Sequence, residues 1–301
     1  MTSGGRDPRD EGHPGPSLFA LLGDPVAHSH SPTLHAASFE ALGIDAVYAA
    51  LRVLDEELKF VMRTVARQGG GGNVTLPHKE RAAAVVDDPS EAVRATGACN
   101  CFWGDGAGGL RGDNTDVDAF AEASRSVRTA GPADATILLL GAGGAARAVL
   151  RGALSGGARE VHVLNRTAER AFRMVSDVAV RESGDGERVR VLESRDEADV
   201  PYDLVVNATS LGIDPDDPLP LDLVDREVGA VLDLVYGPDE TAWVRRAREL
   251  GVRARDGLEM LVLQGAASVE RWTGRRPPLE PMRRAVRKRI RSDVDRRGGS
   301  R

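Results

Sequence analysis

Short apolar runs alternate along the chain with longer stretches in which apolar residues recur every three or four positions. The runs at residues 18–22, 136–140 and 160–164 predict buried strands. Residues 32–42 have helical spacing and stop at Gly43, a residue typical of helix ends. Because such strands and helices alternate, we predict an α/β fold with a parallel sheet and helices on both of its faces.

The same pattern places elements along the rest of the chain. Further strands are predicted at residues 46–53, 73–76, 98–103, 109–111, 189–192, 203–207, 230–235 and 252–254. Further helices are predicted at residues 56–67, 79–86, 116–128, 257–273 and 279–290. A length of 301 residues makes two domains the first expectation.

Composition and charge exclude several classes of protein. Hydrophobic residues make up 41% of the chain and charged residues 29%, which are the proportions of a globular protein. The formal net charge of −6 argues against nucleic acid as a partner. No run approaches the roughly 20 apolar residues of a membrane helix, and the N-terminus lacks the apolar centre of a signal peptide. We therefore expect a soluble cytoplasmic protein with no membrane or nucleic-acid partner.

A glycine-rich motif follows one of the predicted strands and opens a helix. Residues 141–146 read GAGGAA, which fits the dinucleotide-binding pattern G-x-G-x-x-A. Gly141 would permit the tight turn, Gly143 would let the backbone approach a pyrophosphate, and Ala146 would let helix and strand pack closely. Free N–H groups at the helix N-terminus suit the phosphates. The motif therefore predicts a bound dinucleotide.

The end of the next strand indicates which dinucleotide is bound. Sites that prefer NAD usually place an acidic residue there, to bond the ribose 2′-hydroxyl. This chain has Asn165 and Arg166, about 24 residues beyond Gly141, with Arg170 one turn further on. Since a guanidinium binds a 2′-phosphate through paired hydrogen bonds, we predict NADP as the cofactor.

Three polar clusters occupy turns in the first half of the chain, at residues 23–32, 73–79 and 112–116. The second cluster contains Lys79, in a chain where only three of the 40 lysine and arginine residues are lysines. A lysine can give up a proton when its pKa is lowered, whereas an arginine cannot near neutral pH. Lys79 is therefore a candidate for proton transfer.

Metal chemistry has little support in the sequence. His28, His30 and His35 begin a pattern that occurs in metal hydrolases, but only three other histidines remain to complete such a site. Cys99 and Cys101 are too few for a disulfide framework or a four-cysteine zinc site. We expect no metal.

Taken together, the motifs resemble the shikimate dehydrogenase family over residues 18–274. They occur in the order GDPVAHSHSP, NVTLPHK, GACN, GDNTD, GAGGAARA, NRTAER, NATS with the following LG, DLVYGPDET and DGLEML, with a glutamine and WTG beyond. The resemblance implies an NADP-dependent oxidoreductase that interconverts 3-dehydroshikimate and shikimate in the chorismate pathway of aromatic amino-acid biosynthesis. It also implies a substrate domain, a Rossmann-like NADP-binding domain and an active site in the cleft between them.

The family pattern assigns roles to individual residues. Lys79 and Asp116 are the implied catalytic pair. The resemblance implies that these two also contact substrate, together with Ser29, Ser31, Thr75, Asn100, Tyr236 and Gln264. The implied cofactor-binding residues are Gly141, Ala142, Gly143, Gly144, Ala145, Asn165, Arg166, Thr167, Arg170, Asn207, Thr209, Val235 and Gly257.

The resemblance also gives domain bounds. We expect a flexible leader at 1–16, a substrate domain made of 17–117 and 256–285, an NADP-binding domain at 118–255, and a basic tail at 286–301. A monomer or a homodimer is expected.

Other functions stay open at this point. Quinate/shikimate or aminoshikimate dehydrogenases share most of the motifs, and Val117, Cys101, His78 and Val269 depart from the usual family pattern around the substrate pocket. A methylene-tetrahydrofolate dehydrogenase has a similar architecture but fits the polar turns less well. A regulatory protein that binds the nucleotide without turnover is the alternative from another class.

Overall fold

The computed structural model describes residues 17–180, 185–214, 216–237 and 240–298, so the predicted leader at 1–16 lies outside the described residues. The first half of the chain supplies one six-stranded sheet and the helices around it. Its elements are β1 (Ser17–Gly23), α1 (Ser31–Leu42), β2 (Ala46–Arg52), α2 (Leu58–Arg67), β3 (Gly71–Val74), α3 (Lys79–Ala83), β4 (Asp88–Pro89), α4 (Glu91–Thr96), β5 (Cys101–Gly104) and β6 (Leu110–Asp113). The strand order is β2-β1-β3-β5-β6-β4, and only β5 runs antiparallel to its neighbours.

The second half forms another six-stranded sheet, in which all the strands are parallel. It follows the linking helix α5 (Asp116–Ser124) and comprises β7 (Thr136–Leu140), α6 (Gly144–Ser155), β8 (Glu160–Leu164), α7 (Ala168–Val175), β9 (Val189–Leu192), β10 (Leu204–Asn207), β11 (Ala230–Asp233), α8 (Ala242–Glu249) and β12 (Arg253–Arg255). The strand order is β12-β11-β10-β7-β8-β9. Successive strands are added on one side of β7 as far as β9 and then on its other side from β10 to β12, so the topological switch point lies between β7 and β10. Ligands bind at such a switch point, outside the carboxyl ends of the strands. The predicted α/β class is confirmed.

Two C-terminal helices, α9 (Leu258–Thr273) and α10 (Leu279–Gly298), return to the first half of the chain. In α9, Val269 and Trp272 are buried in the same cluster as Phe19 of β1. α10 packs on α1 through a buried cluster that includes Val286 and Ile290. The helix therefore runs through the predicted boundary at 285, and the boundary at 117 falls inside α5. The domain bounds stay a prediction.

Short elements account for most differences from the predicted pattern. β4 has two residues and α4 has six, too few to show a hydrophobic period. The helix predicted at 79–86 ends at Ala83 and the one at 116–128 ends at Ser124, whereas α10 continues beyond residue 290. Charged pairs such as Arg289–Asp293, 3.2 Å apart, support that extension without adding any apolar pattern. None of the helices in the described ranges is both long and apolar enough to cross a membrane.

Candidate active site

Lys79 and Asp116 meet although they are 37 positions apart in the chain. Lys79 is the first residue of α3, after the turn that follows β3, and Asp116 is the first residue of α5. The lysine Nζ lies 2.7 Å from the Asp116 Oδ2. Their side chains are 16% and 8% exposed, so the ion pair is largely shielded from water. The N-terminus of α5 also favours a carboxylate at this position.

The lysine lies against the start of the dinucleotide motif. A Cβ added to Gly144 would come within 3.2 Å of Lys79 Cδ and 3.3 Å of its Cβ. The Lys79 side chain therefore packs where a larger residue at 144 would stand. The contact places the Lys79 side chain, from the first half of the chain, beside the nucleotide loop of the second half.

The glycine-rich loop has the geometry that its sequence predicts. Gly141 has φ +113°, and a Cβ there would lie 2.8 Å from the Ala208 carbonyl oxygen, so only glycine fits. Among the described residues, a Cβ on Gly143 would meet no atom within 4 Å apart from its chain neighbours, so the space in front of the loop is open. The helix α6 begins at Gly144, where N–H groups without intrahelical partners can bind phosphate. Ala142 is buried and Ala145 half-buried beside them.

The predicted 2′-phosphate residues occupy the turn after β8. Asn165 donates from Nδ2 to the Thr167 carbonyl at 2.9 Å and so shapes the turn. Thr167 is the N-cap residue of α7. Arg166 and Arg170 are exposed, and within the ranges described neither guanidinium has a hydrogen bond or an ion pair. Two uncompensated cations beside a helix N-terminus suit a phosphate.

A buried hydrogen-bond network organises the predicted nicotinamide side. Asn207 donates from Nδ2 to Asp233 Oδ1 at 2.8 Å and accepts at Oδ1 from the Thr209 hydroxyl at 2.6 Å. The Val235 N–H donates to the same Asp233 oxygen at 3.1 Å, and the Val235 carbonyl accepts from Gly257 N at 3.1 Å. These contacts bring the four predicted residues together.

Asp233 is the member of this network that the sequence reading missed. Its carboxylate is fully buried. Burial raises the pKa to about 6, because its effect outweighs that of three hydrogen bonds that lower the pKa. One of these comes from the Thr241 hydroxyl at 2.7 Å. The only signal was its place in the motif DLVYGPDET, because nothing in the local pattern marks a buried acid.

The predicted carboxylate-binding turn is ordered by its own serines. Ser29 Oγ accepts from the Ser31 backbone N–H at 3.2 Å and donates to Ser31 Oγ at 3.1 Å. Tyr236 lies close by, with its ring centroid 5.8 Å from that of His30. Burial raises the pKa of Tyr236 to about 12, which keeps the phenol neutral near pH 7. The turn can therefore offer neutral hydroxyls to an anion.

The predicted ring-hydroxyl residues come from separate elements. Thr75 is half-buried in the turn between β3 and α3, and Asn100 is buried directly before β5. Asn100 Oδ1 accepts from Thr115 N at 2.8 Å, which links it to the residue before Asp116. Gln264, in the middle of α9, donates from Nε2 to the Leu261 carbonyl at 2.9 Å. Among the residues described, no direct bond joins Thr75, Asn100 or Gln264 to Lys79.

Family models match three parts of the chain. Residues 21–102 match the shikimate dehydrogenase substrate binding domain, residues 123–211 match shikimate/quinate 5-dehydrogenase, and residues 257–287 match the shikimate 5′-dehydrogenase C-terminal domain. A protein of Rubrobacter xylanophilus named shikimate dehydrogenase (NADP(+)) is 43% identical over 275 residues, which cover 90% of this chain and 95% of that protein. The chain belongs to the shikimate dehydrogenase family. The resemblance seen in the motifs is thus confirmed.

Solved structures give the same result for the fold. Shikimate 5-dehydrogenase from Thermus thermophilus, solved in complex with NADP(H) and shikimate, has a TM-score of 0.78 and 36% identity, covering 90% of this chain and 98% of that one. A ligand-free 5-ketofructose reductase of a Gluconobacter strain has a TM-score of 0.79 at 28% identity, covering 91% and 98%. The shikimate dehydrogenase architecture therefore occurs in proteins named for different substrates, and the substrate here must be argued from residues.

Arg147 was also missed by the sequence reading. It is buried in α6 and connects the nucleotide half of the chain to the substrate half. Its Nη1 donates to the Thr96 carbonyl at 3.1 Å, and its Nε lies 3.5 Å from a Glu80 carboxylate oxygen. Its Nη2 also donates to Asp177 at 3.0 Å. Glu80 follows Lys79 directly, so Arg147 holds the phosphate-binding helix against the helix that carries the lysine. Arg147 lies inside the motif GAGGAARA, but the dinucleotide pattern assigns roles only to the small residues of that motif.

No metal site competes with this interpretation in the described part of the chain. No group of three or more histidine, cysteine, aspartate or glutamate side chains there is placed to hold an ion. His35 is not placed to bind a metal ion, because it is fully buried among aromatic rings.

Proposed function

We propose that this member of the family reduces 3-dehydroshikimate to shikimate with NADPH, reversibly, as a step in aromatic amino-acid biosynthesis. The observation that carries the proposal is the Lys79–Asp116 ion pair, 2.7 Å long and packed against the first turn of the nucleotide-binding helix. It sets a proton donor where the two halves of the chain meet.

Lys79 is the proposed acid–base residue. As a carbonyl is reduced, negative charge grows on its oxygen, and an ammonium group stabilises that charge and donates the proton that completes the alcohol. In the reverse direction the neutral amine accepts that proton. The 2.7 Å hydrogen bond to Asp116 holds the Lys79 Nζ in one position, so that the proton is transferred along a fixed direction. The chemistry that NADPH supplies when bound is a hydride for the carbonyl carbon.

The residues of the second half fit NADP. The open space in front of Gly143 and the N-terminus of α6 would hold the pyrophosphate, with Gly141, Gly144 and the neighbouring alanines shaping the loop. Arg166 and Arg170 are free of other partners in the described ranges and would bind the 2′-phosphate. The network around Asn207 would form the nicotinamide side.

The predicted substrate-binding residues fit a small polyhydroxylated acid. Ser29 and Ser31 would bind the carboxylate, with Tyr236 nearby. Thr75, Asn100 and Gln264 would bond the ring hydroxyls. A site built from such groups rejects analogues that lack a hydroxyl, because its buried polar atoms would stay unpaired.

We also propose that the enzyme works in the cytoplasm, as a monomer or homodimer, without a nucleic-acid partner. The net charge of −6 supports the last point.

Steady-state kinetics tests the substrate assignment. Initial rates are measured with shikimate and quinate, each with NADP and with NAD, and the shikimate–NADP pair should give the highest kcat/KM. Robust quinate turnover with NAD would overturn the assignment and favour a quinate/shikimate dehydrogenase.

The Lys79→Ala variant separates an enzyme from a non-catalytic nucleotide binder. Loss of the general acid should lower kcat by about 10²–10⁴-fold. NADPH affinity, measured by fluorescence titration, should change far less than kcat, because the Lys79 amine pairs with Asp116 and only the aliphatic part of its side chain packs beside Gly144. Unchanged turnover in this variant would contradict the proposed role.

A further inference from the structure

Ser268 lies at the centre of a buried polar network beside the proposed active site. It is fully buried in α9, one turn after Gln264. Its Oγ donates to the Gln264 carbonyl at 2.9 Å and accepts from Asn73 Nδ2 at 2.8 Å. The same oxygen lies 3.3 Å from Thr115 Oγ1. One hydroxyl thus joins α9 to the polar turns of the substrate half.

The orientation of the Asn73 amide follows from its partners. Its Nδ2 lies 3.0 Å from the Asn100 carbonyl oxygen, which can only accept, so this atom must be the nitrogen. Its Oδ1 accepts from the Tyr48 hydroxyl at 2.9 Å. Both Nδ2 hydrogens are therefore committed, one to Asn100 and the other to Ser268.

The orientation of the Asn100 amide is fixed in the same way. The Thr115 backbone N–H, which can only donate, points to Oδ1 at 2.8 Å. Nδ2 then faces Thr115 Oγ1 at 3.1 Å, and its second hydrogen has no partner among the residues described. This leaves Asn100 as a hydrogen-bond donor.

We propose that Ser268 is a positioning residue for substrate recognition. It anchors Asn73, which bonds the Asn100 backbone carbonyl, and Thr115, which bonds the Asn100 side-chain amide, so that one amide N–H stays free for a ring hydroxyl oxygen. The inference rests on the proposed function, since it takes shikimate as the ligand. Ser268 itself touches neither substrate nor cofactor in this scheme. Its hydroxyl sets the direction in which Asn100 binds.

The test compares Ser268→Ala with wild type. Loss of the hydroxyl leaves the buried Asn73 N–H unpaired and removes one of the contacts that hold the Thr115 hydroxyl, so the KM for shikimate should rise about tenfold. The KM for NADP should change less than about twofold, because, among the described residues, none of the proposed cofactor-binding residues hydrogen-bonds to Ser268. Ser268→Cys, which keeps the volume but bonds weakly, should show a smaller rise and serves if the alanine variant does not fold.

A second measurement distinguishes positioning from simple destabilisation. Shikimate is compared with analogues that each lack one ring hydroxyl. Wild type should discriminate strongly against the analogue that lacks the hydroxyl facing Asn100, and Ser268→Ala should lose most of that discrimination. Ser124→Ala is the matched control, because Ser124 is equally buried and its Oγ donates only to the Ala121 carbonyl of its own helix. It should leave both KM values unchanged.

Several outcomes would overturn the inference. An active wild type with an unchanged KM for shikimate in Ser268→Ala overturns the inference. So do parallel rises in both KM values, or equal losses on shikimate and all its analogues. A wild type inactive on shikimate overturns the proposed function and this inference with it.

Discussion

His35 provides a test of how burial controls stability. It is fully buried in α1, its ring stacks on Tyr48 with a centroid distance of 4.1 Å, and neither ring nitrogen has a hydrogen-bond partner among the described residues. Burial lowers the pKa of His35 from 6.5 to about 3, against a smaller opposing influence of the nearby Asn73 side chain. The folded protein therefore holds a neutral ring at pH values where the unfolded chain holds a charged one.

The sign and size of the effect follow from this pKa. Below pH 6.5 the unfolded chain binds a proton at His35 that the folded chain does not bind. The contribution of His35 to the free energy of unfolding is therefore complete above that pH and is lost as the pH falls. Each pH unit in this range costs about 1.4 kcal/mol. Between pH 7.5 and 5.0, His35 should lower the free energy of unfolding by about 2 kcal/mol.

Urea unfolding at the two pH values measures this contribution. His35→Phe fills the site with a ring that does not titrate, and His35→Asn leaves a smaller non-titrating side chain. Their stabilities at pH 7.5 will differ because one packs better than the other. On going from pH 7.5 to 5.0, however, the free energy of unfolding of wild type should fall by about 2 kcal/mol more than that of either variant. A wild-type-minus-variant difference that does not change with pH would refute the reasoning.

Three other variants test the site. Asp116→Asn removes the carboxylate that orients Lys79, so kcat should fall about 10–100-fold in initial-rate assays while the KM for NADP stays unchanged. A rise in the KM for NADP as large as the fall in kcat would contradict the assignment. Replacing Arg166 and Arg170 together by glutamine should raise the KM for NADP at least about tenfold and leave that for NAD within about twofold; equal changes would refute a 2′-phosphate site. Since burial raises the pKa of Asp233 to about 6, its contribution to stability is present below pH 3.8 and lost as the pH rises through 6. Urea unfolding should show wild type losing about 2–3 kcal/mol relative to Asp233→Asn between pH 4 and 7, and a constant difference would contradict this.

The parts of the site predicted from sequence are those that local rules determine. Gly141 precedes a helix and follows a strand, and its positive φ is what such a turn requires. Lys79 and Asp116 each begin a helix directly after a strand or its turn, where a sheet gathers side chains at one edge. Residue type and flanking elements indicated the roles of Gly141 and Lys79, whereas the role of Asp116 was implied by the family resemblance.

The residues that were missed depend on partners far along the chain. Asn73 and Ser268 are 195 positions apart, and nothing near Ser268 distinguishes it from an ordinary helical serine. Arg147 pairs across the two halves, and Asp233 is fully buried in β11, which lies between β10 and β12. In a chain with so many arginines and acids, only tertiary structure shows which of them are buried.

α9 shows why local pattern cannot supply this information. Its first turns place Met260 in the core of the nucleotide half, while its last turns place Trp272 in the core of the substrate half. Between them, a Cβ at Gly265 would lie 2.5 Å from a Leu34 methyl group, so α1 approaches the helix closely at this point. Gln264 and Ser268 flank that contact. The directions of these two polar side chains are therefore set by how α9 is held between two separate cores, which is a property of the assembled fold and not of the helix's own sequence.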